Sequence, residues 1–499
     1  GIGGVALIGT VANQHLFLTG LGDGVIRANY AQYELLAEAI IEGRAYLDLE
    51  VSPALASLSN PYDYGMRALA AESDPSFFYY FDTAFYQGRY YCYFGVLPAL
   101  ILFVPYKLIT GQALSTVSAA LVVCALAVVS CLIFVLSIAN RYFRDSATVG
   151  MCSLLFLFTC LASNIFVLAF FPTFYNLPIA FSLSLTFFGL SCWLNARCKK
   201  TGKLSVAKLT IGSLLIACNI ICRPQFLIAA LIGFVIFKKE IMRERKLFSR
   251  ASLLESAASI IPFVVIGLCA GAYNYMRFGS PFDFGAYYNL TGFDMTNYNQ
   301  SWLTTFYIIA KSLIALPNIT SSFPYLEGVY AYVGEPYYFP WAPNEVLPCG
   351  FFVLLPACLT FLAYGFVWRQ LKFREVSILP LLLVFFALFV LMFDTRNAGY
   401  SWRYFADWGW LFCTASAFVL FGIEARLRAK SELKKTVPLD GNARCNLMEL
   451  CMLASLLYSI FLLSCSLLSP DITKFFLPIA LGNQELYSAI ESLAHSLIG

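Results

Sequence analysis

Apolar runs long enough to cross a hydrocarbon core of about 30 Å follow one another along the chain. They fall at roughly 1–18, 113–139, 147–171, 174–195, 205–222, 225–238, 253–275, 347–367, 376–394, 404–424 and 447–468, which predicts about eleven membrane-spanning helices. Polar segments interrupt the series twice, giving a long first loop at about 19–112 and a second at about 276–346, with a tail over 469–499. Inside the first loop, Tyr33, Leu36, Ala37 and Ile40 share one face of a predicted amphipathic helix, and Gly43 stands where its cap is expected. Residues 93–110 are apolar but short, contain Pro98 and Pro105, and carry Lys107 near their end. That pattern predicts a helix lying along the membrane surface rather than through it. Loop two is rich in Tyr, Phe, Pro and Asn, with one apolar helical piece near 302–316.

Composition turns this pattern into a class. The chain is 60% hydrophobic and 12% charged, and a mean hydropathy of +0.72 lies well above a globular composition that is roughly half apolar. The expected fold is an all-α polytopic membrane protein, with a core over 113–275, C-terminal helices over 347–468 and a first helix at 1–18. The chain starts with Gly1 rather than Met, so that first run reads as the tail of a longer helix.

Charge gives the helices a direction. Basic clusters follow five apolar runs: Arg141 and Arg144; Arg197 to Lys203; Lys238 to Lys246; Arg369 to Arg374; and Arg426 to Lys435. Placing all five in the cytoplasm satisfies the positive-inside rule only if 93–110 does not cross. Both long loops then lie outside, with the short turns at 171–176, 223–224 and 394–403. The net charge of +4 therefore reports topology and implies no nucleic-acid partner. The sixteen cysteines lie mostly within apolar runs, where Cys acts as a small hydrophobe. With only His15 and His495 present, a His-ligated metal or a His-based triad has almost no material to work with. No cofactor is implied, although a divalent ion stays open.

Candidate chemistry concentrates in loop one. Phe81-Asp82-Thr83-Ala84-Phe85-Tyr86-Gln87-Gly88-Arg89-Tyr90-Tyr91-Cys92-Tyr93 joins an acid, a glycine turn, an arginine and a run of aromatics. Polar groups at a bilayer edge are costly to keep without partners, and acids with aromatic faces suit a sugar. Asp82 is the leading candidate for a general base, ahead of Asp23 and Asp63. Asp23 also reads as a helix-capping acid before 25–42, and Asp63, after Pro61-Tyr62, as a turn residue. Tyr86, Arg89, Tyr90, Tyr91 and Tyr93 are candidates to hold sugar or acceptor. Arg403, with Tyr404 beside it in Trp402-Arg403-Tyr404-Phe405-Ala406-Asp407, is the leading phosphate-binding candidate, followed by Arg223 and Arg277. The plainer reading for these arginines is anchorage to lipid headgroups.

A first span, an amphipathic interfacial helix, an acid-bearing loop, a second Pro-containing interfacial helix ending Thr110-Gly111, and a long helix ending in an Arg-rich turn make a recognisable order. It resembles the C superfamily of integral-membrane glycosyltransferases, such as protein mannosyltransferases and lipid A aminoarabinose transferases. The likeness covers about residues 20–240 by architecture. Tyr273-Asn274-Tyr275-Met276-Arg277-Phe278-Gly279-Ser280-Pro281-Phe282-Asp283-Phe284-Gly285 and Trp402 to Asp407 resemble segments of bacterial members. The resemblance implies transfer of a sugar from a polyprenyl-phosphate donor to a glycan, lipid or protein acceptor, usually with inversion, on the outer face of a bacterial inner membrane. It places the base just after the first span, where Asp23 stands, but with Gly24 in place of the usual second acid. Independently of family, a hydroxyl nucleophile is helped by a base within about 3 Å, and a departing phosphate by an arginine aimed at it. Asp82 or Asp23 should then converge with Arg403 under both loops. The rival readings are a transporter or flippase of lipid-linked glycans, which would place ionisable groups mid-span, and a glycan polymerase, whose large loop normally comes late.

Overall fold

The computed structural model describes residues 25–473 apart from 29, 199–200, 293, 298–299, 331–345 and 434–438, together with Ser488 and Ser492. The expected span at 1–18 and the candidate base Asp23 lie outside the described residues.

Six described helices are long and apolar enough to cross a membrane: Thr116–Tyr142, Asn176–Leu194, Arg250–Phe278, Leu379–Ala398, Trp402–Ala429 and Cys445–Leu468. The chain is a membrane-embedded helical protein. The expected count of about eleven is not confirmed, since several of the expected runs are broken in the backbone, which apolar run length does not register. The run 147–171 divides into Val149–Ala162 and Ile165–Phe170 at Asn164, whose φ of 55° is left-handed, a conformation asparagine tolerates. The run 205–222 is helical only to Ile221, and Arg223 is extended (φ −144°, ψ 97°), as a residue before proline prefers to be. After Pro224 the helix resumes for the eight residues Ala229–Ile236. The run 347–367 becomes a turn at Phe351–Leu354, a tight helix at Pro356–Ala363 and a helix at Tyr364–Phe373.

Asn176–Leu194 stands at the centre and is buried on nearly all sides. Phe187 stacks on Phe134 of Thr116–Tyr142 at 5.1 Å and meets Trp410 edge-on at 5.7 Å. Phe351, Phe361, Trp408 and Phe412 continue the packing through mutual ring contacts. These large faces fill the space between helices where lipid cannot enter.

Described members of all five basic clusters meet at one end. Buried Glu240 accepts from Arg197 at 2.9 Å with Arg141 at 3.7 Å, and Arg141 also donates to the carbonyls of Leu194 and Ile236. Arg374 pairs with Asp145 at 2.6 Å, Arg243 pairs with Glu375, and Glu424 takes Arg428 at 3.3 Å and the Thr148 amide at 3.2 Å. Thr116–Tyr142, about 40 Å long at 1.5 Å per residue, carries the chain from this end to the loops.

At the loop end, the predicted amphipathic helix forms as Gln32–Ile41, with Tyr33, Leu36 and Ala37 buried. Glu34 reaches from it to accept the Thr116 amide at 2.7 Å, capping the long helix from outside, where a carboxylate is favoured. The segment Ala99–Thr110 opens with a wide π turn and ends at Gly111, whose φ is 72°. Twelve residues reach only about 18 Å, too short to cross. Tyr33 stacks on its Phe103 at 5.5 Å and Lys107 pairs with Glu38, while Ile101, Leu108 and Ile109 stay exposed. Short strand pairs complete this end. Ile26–Ala28 lies parallel to Tyr79–Phe81, and Ala84–Tyr86 turns back on Arg89–Tyr91 through Gln87 and Gly88. Both turn residues have positive φ, 48° and 74°, as a tight hairpin turn requires.

Candidate functional site

Asp82 sits in the corner between Tyr79–Phe81 and the hairpin, with a left-handed φ of 51°. Four contacts fix it. Its amide donates to the Leu290 carbonyl at 3.1 Å, and its carbonyl accepts from Gln32 Nε2 at 2.9 Å. Its Oδ1 accepts from Asn289 Nδ2 at 3.1 Å, and its Oδ2 accepts from the Tyr175 hydroxyl. Loop two reaches it because Asn289 bridges to Ala84 and the Leu290 amide donates to the Thr83 carbonyl at 3.2 Å. Burial pushes the Asp82 carboxyl above the usual aspartate range, although the Tyr175 and Asn289 hydrogen bonds and the Arg403 charge pull the other way.

Arg403 lies against the ring of the same Tyr175. Its guanidinium carbon is 5.0 Å from the Tyr175 ring centre and 5.0 Å from that of Tyr404, whose hydroxyl accepts from Nη2 at 3.3 Å. The acid and the cation are thus one phenol apart. Tyr93 belongs to the same group: burial and the Asp82 charge hold its phenol well above the ordinary tyrosine range, with Arg403 opposing. Tyr30 likewise feels burial and Asp82.

Beyond Tyr404 the polar groups continue inward. Arg223 sits 5.8 Å from the Tyr404 ring and grips Asp407 with two hydrogen bonds of 2.6 Å. Gln225 donates to Asp394 Oδ1 at 3.3 Å, and the Asp394 carboxyl is buried. The extended backbone at Arg223-Pro224 turns this arginine toward Asp407 instead of letting it continue a helix. Loop one, loop two and the turns at 171–176, 223–224 and 394–403 therefore gather around one polar corner.

The remaining candidates fall elsewhere or take structural work. Asp63 caps Tyr64–Ser73, accepting the Met66 amide at 3.1 Å, so the turn reading describes it. Arg277 donates to the Cys92 carbonyl at 2.9 Å and Asn274 Oδ1 at 2.7 Å between the rings of Tyr273 and Phe278, pinning its helix to the hairpin. Arg223, satisfied by Asp407, acts on the corner through Tyr404. Tyr90 is fully buried between Tyr80 and Phe85, and Tyr91 packs on Phe278, so neither ring offers a face to a sugar. Tyr86 lies against Tyr288 at 4.5 Å, and exposed Arg89 covers Tyr46 at 4.4 Å.

Tyr175, Asn289, Gln225 and Asp394 complete the corner without having stood out in the sequence. Their signal is faint: Tyr175 follows Phe171-Pro172-Thr173, a predicted turn, and Asp394 is the single acid in an apolar run. Among the described residues, no three His, Cys, Asp or Glu side chains converge as a metal-binding set. No protein-family model, curated protein or solved structure matches the chain.

Proposed function

We propose that this protein is a membrane glycosyltransferase that moves a sugar from a polyprenyl-phosphate donor to an acceptor hydroxyl at the loop end, on the extracytoplasmic side of a bacterial inner membrane. The observation that carries this reading is the placement of a half-buried carboxylate at the hydroxyl of Tyr175 and a guanidinium against its ring, among two polar loops. Asp82 takes the acceptor proton as the acceptor oxygen bonds to the anomeric carbon. The bond from that carbon to the carrier phosphate breaks, and the electron pair leaves with the phosphate oxygen. Arg403 faces the charge that grows there, so its contribution is greatest in the transition state. The proton held by Asp82 passes to water after the product leaves. Tyr175 and Asn289 each occupy one acceptor site of the carboxylate in the free protein, and its remaining lone pairs are left to accept from the acceptor hydroxyl. The five basic clusters, gathered at the opposite end, support the cytoplasmic assignment of that end.

A flippase or polymerase of lipid-linked glycans is the alternative. One observation favours it: buried Asp407 and Asp394 stand at span ends with half-buried Arg223 beside a broken helix, as in many transporters. Reconstituted protein given a radiolabelled polyprenyl-phosphate sugar separates the readings. Transfer yields labelled acceptor and free carrier, whereas flipping moves intact donor between leaflets. Asp82→Asn should lower turnover by about 10²-fold or more with donor binding retained, and Arg403→Ala should weaken both. Parent-rate transfer by Asp82→Asn ends the base assignment.

A further inference from the structure

We infer that the helix Trp302–Ile314 of loop two lies flat in the membrane interface at the loop end, with Leu303 and Phe306 seated among lipid chains. Its amphipathicity is reversed relative to a helix packed in water. Thr305, Ile308 and Ser312 are buried, while Trp302, Leu303, Phe306, Tyr307 and Ile314 face outward, Leu303 at 83% and Phe306 at 58% exposure. Small hydroxyl side chains inside and large apolar ones outside suit a surface whose solvent is hydrocarbon.

Both ends of the helix are tied to the same end of the bundle. At its start, Arg396 donates to the Gln300 carbonyl at 2.9 Å and lies 4.1 Å from the Trp302 ring. Arg396 closes Leu379–Ala398 at the end remote from the basic clusters. After its last turn, the Gly350 amide donates to the Ala315 carbonyl at 2.7 Å, and Lys311 donates to the Tyr330 carbonyl at 2.7 Å. Tyr330 in turn donates to Asp471 at 2.6 Å, just past Leu439–Leu468. A helix of 13 residues reaches about 20 Å and returns to the side on which it began, so it does not cross.

Continuity names the occupant. The helix packs on Leu379–Ala398, a span whose Leu381, Phe385, Leu388, Phe389 and Phe393 face outward toward lipid. The outward row of Trp302–Ile314 extends that surface, and Trp302 with Arg396 forms the aromatic and basic pair suited to headgroup level. Arg396 is also two residues beyond Asp394, so a lipid-seated helix is linked directly to the polar corner. This seat holds whatever reaction the corner performs.

Tryptophan quenching in nanodiscs tests it on the full chain. Spin-labelled phosphatidylcholine carries the quencher at acyl carbon 5 or carbon 12, and iodide is the aqueous quencher. The signals read are the Trp302 contribution, taken as the parent minus Trp302→Phe, and the added emission of Phe306→Trp. Both should be quenched about twofold more by the carbon-5 label than by the carbon-12 label, as a depth of about 5–10 Å below the headgroups requires, and should be shielded from iodide. Full iodide quenching without lipid quenching overturns the inference, as does stronger quenching by the deeper label. Shielding from both, with disulfide dimers formed by Leu303→Cys, would assign the face to a second copy of the chain and also overturn it.

Discussion

Both oxygens of the Asp82 carboxylate accept a hydrogen bond, one from Tyr175 and one from Asn289, yet burial leaves the group harder to ionise than a free aspartate. Tyr175→Phe removes the larger of the two stabilising bonds, so the Asp82 pKa should rise further. A base must be ionised to act, and the acidic limb of the pH–rate profile should move to higher pH. An active variant with an unmoved limb would mean that another group titrates. The same burial bears on stability. Above the unfolded aspartate pKa the free chain ionises more readily than the folded one, and folding loses stability as pH rises toward the folded value. Asp82→Asn escapes that penalty and tolerates the left-handed φ, so it should melt no lower than the parent even as transfer fails. Asp82 was legible in the sequence because an acid set among aromatics in a polar loop is an unusual local arrangement. Tyr175 was not, since a tyrosine beside phenylalanines at a span end looks the same whether it faces headgroups or a carboxylate. Asn289 could not be read either, lying 207 residues from its partner among other asparagines.

Among the elements, short helices and breaks shape the corner more than the long spans do. Proline and left-handed asparagine break apolar runs that length alone would draw as continuous helices, so the described residues show six long apolar helices beside several interrupted ones. The amphipathic helix and the short helix Ala99–Thr110 were readable because periodicity, proline and lysine all act locally. The break at Arg223-Pro224 was visible as sequence, but its outcome, a two-bond grip on Asp407 in another span, depends on packing. Removing one partner of such a buried pair leaves a charge uncompensated. Asp407→Ala should therefore cost about 3–5 kcal/mol, read as a lowered midpoint of thermal unfolding in detergent. The double replacement Arg223→Met with Asp407→Leu should regain most of it. A single variant as stable as the parent would show that the pair is solvated.

For the whole molecule, ion pairs among distant basic clusters define one end and the interlocked loops define the other. Charge ordering along the chain made this polarity readable in advance, since each basic cluster follows an apolar run. A membrane-impermeant maleimide should reach Gln112→Cys and Thr201→Cys from opposite faces. Cys198 is itself exposed, so the labelling needs a Cys198→Ser background. Labelling of both positions from one face would overturn the arrangement. The ladder between residues 82–84 and 289–290 carries a further implication for the order of synthesis. Asp82 leaves the ribosome early, but the loop-two segment that closes over it emerges only after the central helices have been made. During that interval its carboxylate stands in water with neither Asn289 nor the loop-two backbone against it. On the proposed function, competence would thus arrive late, as a property of the assembled chain, and a product halted before residue 289 should be inserted yet inert in the transfer assay.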